Sequence, residues 1–212
     1  MPTPYTKTEI ETAISKMDGF VDITVDDVAE LVTLLEKNRQ DRKKKHNWPL
    51  IPFANWHEIL FSWVFSFIGI AALGLLHLFE PSLLIMIGSF GASAVLAYGA
   101  PRSPLAQPRN IIGGHVISAL CGVCIHLALP QPIWLGSALA VSCAIAGMHL
   151  TKTLHPPGGA TALIAIIGGE RIYSLGFRYI LSPVLLGAVI MVAIAYLTNN
   201  TVKNRHYPDY WF

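Results

Sequence analysis

Charged side chains are scarce in this sequence and nearly absent from most of its length. Only 13% of the 212 residues are charged and 53% are hydrophobic, whereas about 25% of the residues of a soluble domain are charged. No aspartate occurs between Asp41 and Asp209. This balance argues against a soluble domain and predicts a chain that is mostly embedded in a membrane. The formal net charge is only +2, so we expect no nucleic-acid partner.

Cysteines are few, and catalytic signatures are missing. Cys121, Cys124 and Cys143 all fall in apolar segments, so we expect them to pack as small buried side chains rather than form disulfides or bind metal. There is no GxSxG, HExxH or paired-carboxylate motif. We therefore expect no enzyme activity, no cofactor and no metal site.

We also expect no cleavable signal peptide at the start of the sequence. The first 20 residues are polar and include Glu9, Glu11 and Asp18, which is not the pattern of a signal or transit peptide. The sequence instead predicts a soluble helical segment at residues 1–46. Its main helix, from Thr24 to Lys44, is amphipathic. Residues 47–200 then form a transmembrane domain, and residues 201–212 a polar and aromatic tail.

The apolar runs predict an all-α polytopic membrane protein with about six transmembrane or partly spanning helices. At 1.5 Å per residue, a run of about 20 residues crosses a hydrocarbon core of roughly 30 Å. The predicted segments are 57–79, 82–100, 111–129, 133–150, 160–173 and 176–197. The fifth is short for a complete crossing.

Positive charge predicts the topology. The basic cluster 42–45 precedes the first span, so the N-terminus is expected in the cytoplasm and the protein as a multi-pass protein of the cell inner (plasma) membrane. Six crossings then place Arg102, Arg109 and Lys152 inside. Arg171 and Arg178 are exceptions. A re-entrant fifth segment would bring both to the cytoplasmic side and move the C-terminus outside.

One segment combines several unusual features inside the apolar region. Residues 149–169 read HLTKTLHPPGGATALIAIIGG, with a histidine, two prolines and two glycines just before an apolar run. Residues 105–119, LAQPRNIIGGHVISA, show a related order of Pro, Gly-Gly and a small-residue helix. Two hairpins in the same orientation would bring these two turns together.

The motifs HPPGGATAL at 155–163 and GSFGASAVL at 88–96, with the link containing Pro101 and Pro108-Arg109-Asn110, resemble the HPP family of small integral membrane proteins. The resemblance covers about residues 56–197. It implies a transmembrane protein of the kind found in bacteria and plastids, with four or five spans and with some members linked to nitrite transport.

The charges of the membrane domain favour an anion or a neutral solute. Its carboxylates, Glu58, Glu80 and Glu170, all lie at predicted span ends, whereas cation pathways use buried Asp or Glu. The start of a helix at 158–161 would present N–H groups and a positive dipole. The predicted binding residues are His155, Gly158, Gly159, Thr161, Arg109, Asn110, Lys152, Ser89 and Ser93. His115 and His126 lie about 16 Å apart along one helix, too far to share a metal ion.

The sequence therefore predicts a transporter or channel for a small inorganic anion, nitrite by the family resemblance, with membrane lipid and the anion as partners. The alternative is a non-transporting scaffold or sensor that acts through its N-terminal cytosolic helices. Deleting residues 1–45 would separate them, because only the scaffold would lose its partner. Small residues such as Gly114, Ser118 and Gly122 permit close helix contacts within one subunit or in a homo-oligomer.

Overall fold

The computed structural model describes residues 55–203 and 205–211, together with Val32, Thr33 and Glu36. The chain divides into two units, 1–53 and 54–212, and the fold below is that of the second. Val32, Thr33 and Glu36 are helical. The rest of the predicted amphipathic segment lies outside the described residues.

Every regular element in the described part is helical, which confirms the predicted all-α class. The helices are α1 (Trp56–Phe79), α2 (Gly88–Ala94), α3 (Pro108–Ala128), α4 (Ile133–Leu150), α5 (Pro156–Ile167), α6 (Glu170–Tyr173) and α7 (Leu186–Asn199). A π-helical turn, Val95–Gly99, continues α2, and another, Ile180–Leu185, leads into α7. Short 3-10 turns occupy Pro81–Leu83 and Pro104–Ala106.

Four of these helices are long and apolar enough to cross a membrane. They are α1, α3, α4 and the continuous stretch Ile180–Asn199. Large apolar side chains face outward from the first of them: Trp63 is 66% exposed, Phe67 64% and Phe79 80%. An apolar surface of this kind is stable against lipid and not against water, so the chain is a multi-pass membrane protein.

Local sequence explains where the helices begin. The Asn55 side chain accepts a hydrogen bond of 2.8 Å from the Glu58 N–H and caps α1. Pro108 and Pro156 occupy the first positions of α3 and α5, where the missing N–H costs nothing.

Two helices are too short to cross alone. α2 with its π-turn (residues 88–99) and α5 each contain 12 residues, which is about 18 Å of helix. Non-helical backbone precedes each of them, at residues 84–87 and 151–155. The predicted second and fifth segments are therefore partly spanning helices, and the predicted fold class is confirmed.

The helices α3 and α5 pack side by side in the same direction. A Cβ added to Gly114 would lie 2.5 Å from His155 Cβ, and one added to Gly122 would lie 2.7 Å from Ala165 Cβ. Later residues of α3 therefore meet later residues of α5. At their starts, the Asn110 side chain donates to the Leu154 carbonyl at 2.8 Å. The two turns that resemble each other in sequence do meet in the fold.

The C-terminal segment returns to the side on which α1 begins. The Arg205 guanidinium lies 3.0 Å from the Glu58 carboxylate in the first turn of α1. We call this side of the domain the Arg205 side. The start of α1 and the end of α7 therefore lie on the same side, which fits an even number of passes. Because only four helices are long enough to cross on their own, the six crossings stay a prediction.

Candidate functional site

His155 lies at the start of α5, inside the helix bundle and not at its surface. It is the N-cap residue of that helix and is fully buried. It packs against Gly114, six residues into α3, so the start of α5 is recessed by about 9 Å along α3. The His155 Nδ1 lies 2.8 Å from the Leu105 carbonyl. The HPP turn therefore dips into the domain instead of forming a surface loop.

His115, on α3, is the second buried imidazole of the site. Its ring meets the His155 ring edge to face with 4.9 Å between centroids, and it meets the Phe90 ring in the same way at 5.2 Å. Its Nδ1 lies 2.7 Å from the hydroxyl of Thr161 on α5. The two histidines therefore form a pair inside the helix bundle.

Ser93 on α2 joins the two rings. Its Oγ lies 2.7 Å from His115 Nε2 and 2.8 Å from His155 Nε2. One turn earlier, Ser89 accepts a hydrogen bond of 2.9 Å from the Thr161 hydroxyl. These side chains are all buried. We call the following set the histidine cluster: Ser89, Ser93, His115, His155 and Thr161.

The small-residue segment GSFGASA explains how α2 reaches this position. Ser89 and Ser93 are four residues apart and lie on one face of the helix. Between them Phe90 packs directly on Gly187 of α7, where an added Cβ would lie 2.2 Å from the Phe90 ring. Gly91, on another face of α2, lines an apolar groove of about 700 Å³ between α1 and α2. One face of α2 therefore packs against other helices, whereas Gly91 faces the groove.

The start of α5 supplies a dipole rather than free donors. Pro156 and Pro157 have no N–H, and the Gly158 N–H donates to the His155 carbonyl at 2.8 Å. The free N–H groups expected at this helix start are therefore not available at Gly158. The positive end of the α5 dipole still points at His155.

The two glycines of the HPPGG motif differ in their surroundings. A Cβ added to Gly158 would lie 2.6 Å from Ser118 Oγ and 3.0 Å from the Gly114 carbonyl. A Cβ added to Gly159 would meet only Val141, at 3.9 Å. Gly158 permits the close crossing of α3 and α5, and Gly159 makes no comparable contact.

The three cationic and amide residues of the predicted site lie outside the cluster. Arg109 donates to the Thr151 carbonyl at 3.0 Å, and Asn110 donates to the Leu154 carbonyl at 2.8 Å. Lys152 is exposed, with a left-handed φ of 56°. Arg109 and Asn110 therefore fix the loop that carries His155, whereas His155, Ser89, Ser93 and Thr161 come together.

His115 was not among the predicted binding residues. The sequence places it in an apolar span together with His126, but His126 stacks on Tyr173 with 4.1 Å between ring centroids, away from the cluster. A histidine that follows Gly113-Gly114 in the segment resembling HPPGG was the available signal. Only the crossing of α2, α3 and α5 identifies it as a partner of His155.

The C-terminal segment covers the loop that holds His155. Arg205 is buried and donates to the Tyr98 carbonyl at 3.0 Å and to the Ser62 hydroxyl at 3.0 Å, besides pairing with Glu58. The Tyr207 hydroxyl donates to the Ala106 carbonyl at 2.9 Å, next to Leu105. Burial and the neighbouring Tyr98 raise the pKa of Tyr207 well above its usual value. A cavity of about 580 Å³ opens here, lined by Glu58, Ala100, Pro101, Arg102, Ser103 and Arg205.

The described residues do not bring a set of metal ligands together. Within residues 55–203 and 205–211, no three His, Cys, Asp or Glu side chains lie close enough to hold one metal ion. The three cysteines are unpaired thiols; Cys124 and Cys143 are exposed and Cys121 is half-buried. The expectation that the cysteines pack as small side chains is confirmed for Cys121, which contacts buried residues of α4 and α5. It is wrong for Cys124 and Cys143, because their faces of α3 and α4 point away from the core.

Comparison with known proteins places these residues in a family. The transmembrane-region model of the HPP family matches residues 51–208, which include the whole histidine cluster. A transmembrane protein of Dictyostelium discoideum is 48% identical over 165 residues, covering 75% of this chain and 53% of the relative. A second Dictyostelium transmembrane protein is 46% identical over 167 residues, covering 76% and 58%. The chain thus spans a little over half the length of these relatives. No solved structure matches it.

Proposed function

The chain belongs to the HPP transmembrane family, and on that premise we propose that it is a transporter or channel for a small inorganic anion, with nitrite as the first candidate. The anion binds at the histidine cluster. The observation that carries the proposal is the buried pair His115 and His155, bridged by Ser93 at the recessed start of α5.

Burial is the first argument for a binding role. Polar side chains deep in a membrane domain are costly and usually line a pathway or a site. The histidine cluster brings two imidazoles and three hydroxyls together among buried side chains that are mostly apolar. It links α2, α3 and α5 by side chains alone.

Charge is the second argument, and it selects an anion. No carboxylate hydrogen-bonds to the cluster in the described part of the chain, and the positive end of α5 points at it. Imidazole N–H groups and hydroxyls are donors that suit an oxyanion. Partly spanning helices whose ends meet inside the bilayer form the substrate sites of several transporter folds, and α5 has this geometry.

The choice of nitrite follows from the family, some of whose members are linked to nitrite transport. Nitrite is a small, planar anion that accepts several hydrogen bonds. Its small size fits a site that has few donors. We place the protein in the plasma membrane with the Arg205 side in the cytoplasm, because Arg102, Arg109 and Lys152 lie in the loops of that side and favour that orientation. The proposal involves no catalytic step.

Counterflow into proteoliposomes tests the proposal. Vesicles that contain the purified chain and are loaded with unlabelled nitrite should take up labelled nitrite faster than protein-free vesicles. Nitrate, formate and chloride in the same assay rank the selectivity. If none of the four anions enters faster than in protein-free vesicles, the proposed function is wrong.

A further inference from the structure

The histidine cluster forms a continuous chain of hydrogen bonds. The chain starts at the Leu105 carbonyl, outside the cluster, and continues through His155, Ser93, His115, Thr161 and Ser89. Each distance between neighbouring groups is 2.7 to 2.9 Å. Each bond uses one proton, each hydroxyl supplies one, and each neutral imidazole supplies one. The protons can therefore be counted.

Both Nδ1 atoms hold a proton. The Leu105 carbonyl only accepts, so His155 Nδ1 donates to it. The Thr161 hydroxyl donates its single proton to Ser89. The 2.7 Å bond between Thr161 and His115 Nδ1 must then take its proton from the ring.

Ser93 faces the remaining two nitrogens. Its Oγ lies 2.7 and 2.8 Å from the Nε2 atoms of His115 and His155, but it has one proton and donates to only one ring. A chain in which every contact is a hydrogen bond therefore requires a proton on the Nε2 of the other ring, which makes that ring an imidazolium. A longer contact, 3.3 Å from Ser93 Oγ to the Ser89 carbonyl, competes for the same proton and does not remove this requirement.

With both rings neutral, the cluster is one proton short. The single ring proton of each histidine bonds the Leu105 carbonyl or Thr161, and Ser93 donates to one Nε2. The contact between Ser93 and the other Nε2 then has no proton. The cluster therefore has two states that differ by one proton, and only the protonated state makes every hydrogen bond.

The surroundings of the cluster disfavour the protonated state unless an anion enters. The titratable and charged groups on the elements and links around it are His57, Glu58 and His77 on α1, Glu80 after α1, Tyr98 after α2, Arg102 before α3, Arg109, Cys121, Cys124 and His126 on α3, Cys143 and His149 on α4, Lys152 before α5, Glu170, Arg171 and Tyr173 on α6, Arg178 and Tyr179 before α7, Tyr196 on α7, and Lys203, Arg205, His206, Tyr207, Asp209 and Tyr210 in the C-terminal segment. Of the carboxylates, Glu58 pairs with Arg205 and Asp209 lies near His206. A buried imidazolium without a counter-ion is strongly destabilised.

We infer that the cluster takes up one proton with each anion that binds and releases the two together. This inference rests on the proposed function and adds its coupling: the species carried is equivalent to the conjugate acid, nitrous acid for nitrite. A hydronium ion from the solvent gives its proton to the unprotonated Nε2 and leaves as water, so one N–H bond forms on an imidazole as one O–H bond of hydronium breaks. Between the rings, one Nε2–H bond breaks as a Ser93 O–H bond forms, and the former Ser93 O–H bond breaks as the other Nε2–H bond forms.

The direct test is the proton balance of binding. Sodium nitrite is added to the purified full-length chain in weakly buffered detergent solution near pH 7, and a pH indicator reports protons taken up while calorimetry reports nitrite bound. We expect about one proton per nitrite. If nitrite binds without proton uptake, the inference is wrong and the proposed function stands. If nitrite does not bind and proteoliposomes show no nitrite flux, both the inference and the proposed function are wrong.

A variant tests whether the histidine cluster or another titrating group takes up the proton. Thr161→Val removes the hydroxyl that fixes the His115 Nδ1 proton, so the pair no longer needs an extra proton, and proton uptake per bound nitrite should fall at least about threefold. Thr198→Val is the matched control, because the Thr198 hydroxyl bonds only its own helix, to the Ile194 carbonyl at 2.8 Å. Histidine ¹⁵N spectra of the same samples should show an imidazolium that appears with nitrite in the wild-type chain. Rings that stay neutral with nitrite bound would overturn the inference.

Discussion

The imidazole rings of His115 and His155 meet edge to face, 4.9 Å apart, and share the hydroxyl of Ser93. They come from helices that are 40 residues apart in the chain. Since α5 begins only where it can pack on Gly114, the pair lies inside the domain. A recessed helix start, two imidazoles and a bridging hydroxyl are the features on which the proposed anion site depends.

Replacing His155 tests whether the pair binds the anion. In His155→Gln the side chain keeps a donor and an acceptor but no longer takes up a proton. Loss of a charge-assisted hydrogen bond weakens binding by about ten- to hundredfold, and nitrite uptake should fall to match. His149→Gln is the control, because His149 is exposed at the end of α4. Equal uptake by both variants would remove His155 from the site.

Replacing Ser93 tests the bridge. Ser93→Ala leaves both Nε2 atoms buried without their partner, and each unsatisfied group costs about 1–3 kcal/mol. We expect a lower free energy of unfolding in detergent titrations, together with loss of nitrite binding. Ser142→Ala should change neither quantity, because the Ser142 hydroxyl is exposed and bonds only the Ala138 carbonyl. A Ser93→Ala protein as stable as the wild type would contradict the bonding described.

A single methyl group on α3 tests the recessed position of the HPP turn. In Gly114→Ala the added Cβ would lie 2.5 Å from His155 Cβ and 2.8 Å from the Thr153 carbonyl, so the loop must move. Overpacking of this kind costs about 1–3 kcal/mol, measured as a lower melting temperature in detergent. Gly74→Ala on α1 meets nothing within 4 Å and should leave the melting temperature unchanged or slightly raised. If the two variants melt alike, α3 and α5 do not cross here.

Much of the fold is predictable from the sequence, because length and hydropathy act locally. The expected segment 133–150 coincides with α4, and 57–79 and 111–129 differ from α1 and α3 by at most three residues at either end. The grouping of Ser89, Ser93, His155 and Thr161 also appears in the structure. These residues can be identified from the sequence because polar groups are few in an apolar span.

Two features around the candidate site depend on tertiary packing, which the local sequence indicates only weakly. His115 bonds Ser93 and Thr161 across 22 and 46 residues of sequence, and periodicity does not distinguish such a histidine from an ordinary core residue. Arg205 reads as a positive charge next to a span, yet it is buried against Glu58 and Ser62. Such contacts arise only when distant helices assemble.

Arg205 itself gives a prediction about stability. Truncation in Arg205→Ala leaves the Tyr98 carbonyl and the half-exposed Glu58 carboxylate without their donor. Because solvent screens Glu58, the cost is that of an unsatisfied buried polar group, about 1–3 kcal/mol. Arg205→Lys should recover little of this, because an ammonium group does not reach these partners in the fork geometry of a guanidinium. Arg178→Ala, at an exposed position, is the control. Thermal unfolding in detergent measures all three; an unchanged Arg205→Ala protein would contradict the buried pairing.

The measurement that tests the central claim most directly is an experimental structure of the chain with nitrite, determined beside one without it. The account predicts density for one anion in contact with His155, His115 or Ser93, within hydrogen-bonding distance of about 3 Å, and absent without nitrite. An unchanged histidine cluster with the anion bound elsewhere, or not bound at saturating nitrite, would contradict it.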